Sequence, residues 1–275
     1  MTEKQDVLDA VTSLKAKGKP FAIATVVRTV SLTAAKAGAK ATILSDGSIS
    51  SGWVGGGCAR AAVVKAAKQA MADGQPRLIS VLPPDLLKDL GVAPGDAKGG
   101  VEYAKNMCPS QGSMDVFVEP VLPRKILMVF GSSPVALALA ELGSKLDYAV
   151  QARCMSEDLP KFEGIAPASA GFVPDLGGIA AANLFAVVAT QGRGDEAALA
   201  AAIATQAPYV AFVGSRKKGE SLRSALAAKG FATDRLAEVR VPAGLDLGGV
   251  TPEEIALSIL GEIVQFRRRG QRQRS

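Results

Sequence analysis

The chain has 275 residues and not one histidine. That absence removes Ser–His and Cys–His nucleophile pairs, HExxH metal sites and imidazole acid–base chemistry. Any chemistry must run on Cys, Asp, Glu, Lys, Arg, Tyr or a bound cofactor. Cysteine is scarce too: Cys58, Cys108 and Cys154 lie too far apart for a disulfide framework or a CxxC zinc site. Aromatics make up only 5% of the chain, and none is interleaved with a basic run, so single-strand nucleic-acid stacking is not expected. The formal charge of +6 has a local source, because Arg267, Arg268, Arg269, Arg272 and Arg274 crowd the last residues. Such a tail reads as a solvated terminus. Long apolar runs are missing. Ile126–Phe130 and Phe185–Ala189 are strand-length, so no membrane span is expected. The first six residues, Met-Thr-Glu-Lys-Gln-Asp, lack the apolar core of a signal peptide, which predicts a cytoplasmic protein.

Against these absences stands the stretch Ser51-Gly-Trp-Val-Gly-Gly-Gly-Cys58. Gly55, Gly56 and Gly57 leave backbone N–H groups bare, able to close around an anionic group. Cys58 then opens a segment of helical spacing, about Cys58–Ala72. A thiol at a helix N-terminus feels the positive end of the dipole and is biased toward thiolate. Gly-rich turn, thiol and helix start together describe a place for an anionic, sulfur-loving ligand. A structural turn with an inert, buried cysteine is the plain alternative.

Residues Val7–Lys17 have helical spacing, and Phe21–Val27 reads as a buried strand with Arg28 following at its end. Lys40–Leu44 and Ser48–Ser50 flank Ser45-Asp46-Gly47, a hairpin signal. Pro76–Leu82 and Met114–Glu119 read as strands, with Pro83–Gly112 between them as a functional or capping loop that contains Cys108. Two prolines in Pro120–Pro123 mark a change of pattern. The expectation is therefore two domains, residues 1–121 and 122–275. In the second half, strands at Lys125–Phe130, Ala149–Arg153, Leu184–Thr190 and Tyr209–Val213 alternate with helices at Pro134–Lys145, Asp195–Ala204, Arg216–Lys229 and Pro252–Arg268. The fold class is α/β: a mixed N-terminal domain followed by a Rossmann-like, doubly wound parallel sheet.

Gly131, Ser132 and Ser133 occupy the strand–turn–helix position of a dinucleotide fingerprint. The second glycine of G-x-G is replaced by Ser133, and the next strand ends in Gln151-Ala-Arg-Cys154 without the ribose-binding acid. NAD(P) binding is doubtful on both counts. Gly214, Ser215, Arg216 and Lys217 open a later helix at the sheet's carboxyl edge. Cations at a helix start are unfavourable unless an anion compensates, which makes these residues candidates for a ligand phosphate. Arg28 is a second candidate anchor, with a salt bridge as its alternative. Asp246, in Gly244-Leu-Asp-Leu-Gly248, either builds a turn or contacts the ligand.

Several segments, in this order, resemble the XdhC/CoxI-type accessory proteins of xanthine dehydrogenase and carbon monoxide dehydrogenase. They are Ala24–Thr29, Gly38–Lys40, Asp46–Ile49, Gly55–Cys58, Cys108 followed by Phe117–Pro120, the Gly131 turn, Gly214–Lys217, and Gly244–Gly248 leading into Thr251–Ser258. Resemblance to that family implies a maturation factor for a molybdenum hydroxylase. Such proteins bind the molybdenum cofactor, assist its sulfuration with a cysteine desulfurase partner, and deliver it to the apo-enzyme. The cofactor is molybdopterin or molybdopterin cytosine dinucleotide, and a homodimer is implied. On this reading Cys58 and Cys108, if they face one cavity, hold molybdenum-bound sulfur between them. The chain departs from the family at Val30–Ala35, where Gly-Ser-Ser-Pro-Arg is usual, and at Met107–Gly112, where Pro-Cys-Gly-Gly is usual.

The carbon monoxide dehydrogenase branch adds Cu(I) as a candidate cargo. Met107-Cys108 and Cys154-Met155 each set thioether beside thiol, although chance adjacency explains both pairs. Taken together, these readings predict a chaperone that catalyses nothing by itself. Two rivals stand beside it, an NAD(P)-dependent oxidoreductase using the second domain and a non-catalytic assembly scaffold.

Overall fold

Burial alternates along Ala22–Val26 of β1 (Phe21–Val30), which lies inside the first sheet with one face on the core. The structure is a computed structural model that describes residues 6–31, 33–109, 111–174 and 181–268; for Cys58 and Ala182 only the backbone is described. Arg269, Arg272 and Arg274 of the basic tail lie outside the described residues. The chain divides into two units, Met1–Pro123 and Arg124–Ser275.

In the first unit, helix α1 (Val7–Ala16) is capped by Asp6, whose carboxylate accepts the Leu8 amide. After β1 come β2 (Lys40–Leu44) and β3 (Ile49–Gly52), joined by a turn in which Asp46 accepts both the amide and the hydroxyl of Ser48. Helix α2 (Gly57–Asp73) follows, then β4 (Arg77–Leu82), α3 (Pro84–Asp89), β5 (Ala97–Lys98), β6 (Val101–Lys105) and β7 (Ser113–Val121). The sheet order is β3-β2-β1-β7-β4-β6-β5, antiparallel except where β4 pairs with β6. Ala24, Val26, Val81 and Val116 face Val63, Ala66, Ala67 and Ala70 of α2, all buried. The alanines let the helix lie close on the sheet.

Two expectations need correction here. Pro83–Gly112 is not one loop: it carries α3, β5 and β6. Val101–Lys105 is too short to show a pattern of its own, and it is a strand because β4 offers it a parallel ladder. Only the stretch after Lys105 stays irregular. Arg28 does not follow the first strand but lies inside it, after a bulge between Val26 and Arg28.

The second unit runs β8 (Ile126–Phe130), α4 (Pro134–Lys145), β9 (Ala149–Cys154), a 3-10 helix (Ser156–Phe162), β10 (Ala168–Ala170), β11 (Leu184–Val188), α5 (Asp195–Ala204), β12 (Tyr209–Phe212), α6 (Arg216–Ala228), α7 (Thr233–Glu238) and α8 (Pro252–Arg268). All five strands are parallel, in the order β10-β9-β8-β11-β12. The first strand is central and the order reverses between β8 and β11, as in a Rossmann half. Every residue of β8 is buried and successive side chains serve opposite faces. Leu127 and Val129 pack with α4 and α8, while Ile126, Met128 and Phe130 pack with α5, α6 and α7. Helices therefore cover both faces, as the alternating pattern predicts. No helix among the described residues is long and apolar enough to cross a membrane.

Candidate functional site

Helix α2 begins without a side-chain cap. Its N-cap is Gly56, no acid stands in its first turn, and among the described residues no side chain of the N-cap position accepts from its opening N–H groups. Gly55 and Gly57 sit at φ +116° and +37°, where a side chain is strained. Gly56 has ordinary extended backbone, and a Cβ there would meet no atom. The three glycines border a cavity of about 320 Å³. Its other walls come from Thr33 and Ala34, from Val81 and Met114, which pair across β4 and β7, and from Asn106, Met107, Cys108 and Gly112.

The loop that brings Cys108 there is tied by one side chain. Asn106 Oδ1 accepts the Cys108 amide at 2.9 Å, and Asn106 Nδ2 donates to the Gly112 carbonyl at 2.6 Å. The Asn106 amide itself donates to Leu82 O at 2.7 Å, which prolongs the ladder beside β4. Cys108 is exposed. None of the described lining residues carries a formal charge. The cavity thus offers helix-end dipole, thiol and thioether, and no cation.

The structure therefore brings Gly55, Gly56, Gly57 and Cys108 to one cavity. Cys58 has its backbone in the first turn of α2, and its side chain lies outside the described residues. Arg28 does not line the cavity. It is paired with Asp115 (Nε to Oδ2, 2.6 Å), its side chain 68% exposed, and Ser80 donates to the other oxygen of Asp115. Asp115 follows Met114 on β7, and strand alternation sends the two to opposite faces of the sheet. Sequence reading missed Asn106 and Met114. The Asn-x-Cys spacing of an Asx turn was the available signal for the first, and strand alternation for the second.

The remaining candidates belong to the second unit, on the carboxyl edge of its sheet. The Gly131 amide donates to Arg153 O at 2.8 Å, and that of Ser133 to Ala189 O at 3.4 Å. Pro134 has no N–H, and the Ala136 amide is capped by Ser133 Oγ. Few donors of this turn are left to meet a pyrophosphate. Gly131 sits at φ +111°, and an added Cβ would collide with the Ala189 carbonyl, so close backbone approach explains this glycine. The Ser132 hydroxyl donates to Asp158 Oδ2 at 2.6 Å.

Ser215 caps α6 by accepting the Lys218 amide, beside Gly214 and the exposed Arg216 and Lys217. Lys218 pairs with Asp195, which also accepts from Thr190 and from the Gly192 amide. Burial alone would raise the Asp195 carboxyl, but Lys218, Thr190 and Gly192 outweigh it and the net shift is downward. Asp246 is exposed, in a loop held by Glu262 of α8. That carboxylate accepts from Tyr209 (2.8 Å), Arg240 (2.8 Å) and the Gly244 amide (3.0 Å). Cys154 is 0% exposed; burial, then Asp158 and Glu157, push its thiol up. Among the described residues no cluster of three or more His, Cys, Asp or Glu suits a metal ion.

Comparison with known proteins gives matches in both units. Residues 127–263 match the XdhC Rossmann domain, and residues 14–81 match the XdhC and CoxI family. Uncharacterized protein YqeB of Escherichia coli (strain K12) is 26% identical over 268 residues, 95% of this chain but 46% of that protein. The chain thus spans about half the length of that relative. A crystal structure of a xanthine dehydrogenase from Bacillus halodurans aligns with a TM-score of 0.46 at 17% identity, covering 97% of each chain. With the two family matches falling in order on the two units, the chain belongs to the XdhC and CoxI family.

Proposed function

We propose that this protein is a maturation factor that receives a molybdopterin-type cofactor as cargo, assists its sulfuration and passes it to an apo molybdenum hydroxylase. Membership of the XdhC and CoxI family supports the general role in molybdenum hydroxylase maturation. The observation that carries the finer reading is the cavity at the start of α2, where uncapped N–H groups, Cys108 and the Met114 thioether line one space. Those donors suit the sulfur- and metal-bearing end of the cargo, since soft ligands prefer thiolate and thioether and the helix end favours negative charge. They do not suit its phosphate, for which the described lining has no cation. Sulfur would come from a cysteine desulfurase partner. Whether the cargo is molybdopterin or its cytosine dinucleotide, the same end enters.

Cu(I) handling rests on the same cavity. Of the two sulfur pairs, Cys154-Met155 is spent on structure: Cys154 is buried and Met155 Sδ accepts from Arg193. Met107 and Cys108 both line the cavity. The dehydrogenase reading finds less support, because the turn at Gly131–Ser133 uses most of its donors internally.

The test is anaerobic purification of the full chain from cells that make molybdopterin, followed by metal and pterin analysis. Pterin should co-purify, and Cys108→Ala should lose most of it. A protein free of pterin that still activates its target enzyme would favour the scaffold reading instead.

A further inference from the structure

The carboxyl edge of the second unit's sheet contains a complete set of anion donors that already holds an anion. Asp158, in the 3-10 helix Ser156–Phe162 after β9, is 4% exposed. Its Oδ2 receives the Ser132 hydroxyl at 2.6 Å and the Arg193 Nη1 at 2.8 Å; its Oδ1 receives Lys161 Nζ at 2.8 Å. Ser132 belongs to the turn after β8, and Arg193 to the loop after β11. These are the two strands between which the order reverses, the place where an open parallel sheet takes a ligand. A hydroxyl, a guanidinium and an ammonium converging on one point are the usual partners of a phosphate group. Here the point is filled by the chain's own carboxylate. Glu157 fixes the other side of the guanidinium, accepting from Arg193 Nη2 at 2.7 Å.

We propose that Asp158 is an internal occupant of a latent phosphate site formed by Ser132, Arg193 and Lys161, and that its carboxylate keeps the crevice of the second unit closed to nucleotides. A phosphate arriving there would have to displace a buried, triply bonded anion and would meet its repulsion. Removing the charge takes the anion away from Lys161, from the Ser132 hydroxyl and from Nη1 of Arg193, whose Nη2 stays on Glu157, and the three donors then converge on a vacant anion site. The ligand class is a nucleoside diphosphate or inorganic pyrophosphate.

The experiment is calorimetric titration of the full-length protein with ADP and with inorganic pyrophosphate, at one fixed ionic strength. The wild type should show no saturable binding at millimolar ligand, and Asp158→Asn should bind at least ten-fold tighter. Adding Arg193→Ala to that variant should abolish the gain. Asp158→Asn keeps the side chain's size, so it carries the test if Asp158→Ala fails to fold. Wild-type binding as tight as that of the variant overturns the proposal. So does an Asp158→Asn protein that still unfolds in one cooperative transition and shows no gain in affinity. The readout is nucleotide binding, so it stands or falls separately from pterin content.

Discussion

Asn106 holds Cys108 from two sides: it accepts the cysteine's amide, and it ties the loop's far end through the Gly112 carbonyl. A thiol on an untethered seven-residue excursion would sample many positions. Here one amide side chain fixes it at the cavity. Asn106→Ala should lower pterin retention nearly as far as Cys108→Ala does, while costing only about 1–2 kcal/mol of stability for the lost hydrogen bonds. Pterin analysis beside a urea titration separates the two effects. Unchanged retention would mean that the loop is ordered by something other than this residue.

The thiols should differ sharply in reactivity. Cys154 is fully buried and its thiol is pushed up by that burial, with Asp158 and Glu157 adding to the effect. Cys108 is exposed. Iodoacetamide on native protein, read by peptide mass spectrometry, should modify Cys108 and leave Cys154 untouched until denaturant is added. Comparable labelling of both in the native state would contradict the packing around β9.

Acid should weaken the second unit through Asp158. Lys161 first, then Ser132 and Arg193, hold its carboxyl down at about 2, against 3.8 for an ordinary aspartate. A depressed carboxyl stabilises the fold fully above its unfolded value and loses that contribution as pH falls toward the folded one. The loss should appear between about pH 4 and pH 2. Thermal melts across that window should fall less steeply in Asp158→Asn than in the wild type.

Gly131→Ala should be among the most damaging single methyl additions in the second unit. It combines a φ of +111° with a collision against the Ala189 carbonyl, and neither can relax without parting the turn after β8 from the loop after β11. A loss of at least about 2 kcal/mol is expected in denaturant unfolding. Gly56→Ala is the control, since a Cβ there meets nothing. Its effect should fall on cargo retention and leave stability near wild type.

Glu262 provides a fifth check. It is buried and accepts from Tyr209, Arg240 and the Gly244 amide, so Glu262→Ala strands a cation and a backbone donor together. About 3–5 kcal/mol should be lost. Proteolysis should then cut the Gly244–Val250 segment faster than in the wild type.

The second unit was largely legible from its residues. Pro134–Lys145, Asp195–Ala204 and Pro252–Arg268 begin and end where Pro at N1, acids in the first turn, or a shift to polar residues mark them. Its inner strands β8 and β11, with β12 beside them, are continuous apolar runs, as strands covered on both faces must be, while β9 alternates. The first unit was harder to read. β6 exists only because β4 lies beside it, and α7 (Thr233–Glu238) of the second unit is likewise too short to announce itself. At the candidate site, the glycine turn and Cys108 carry local signals. Arg28 gives no sign of its partner in the sequence: Asp115, which accepts from its Nε, stands 87 residues away. Asp158 shows the same limit from the other side: nothing local in Ser-Glu-Asp-Leu says that its carboxylate reaches the turn after β8.

All the described walls of the cavity come from residues that precede Arg124. Whatever lodges there lends its binding free energy to that half of the polypeptide, in proportion to RT ln(1 + [L]/Kd), or about 4 kcal/mol at a thousand-fold excess over Kd. Loading and folding of the first half are then a single equilibrium, and if the occupant is the proposed pterin, a cell short of it would find this half easier to degrade than one well supplied.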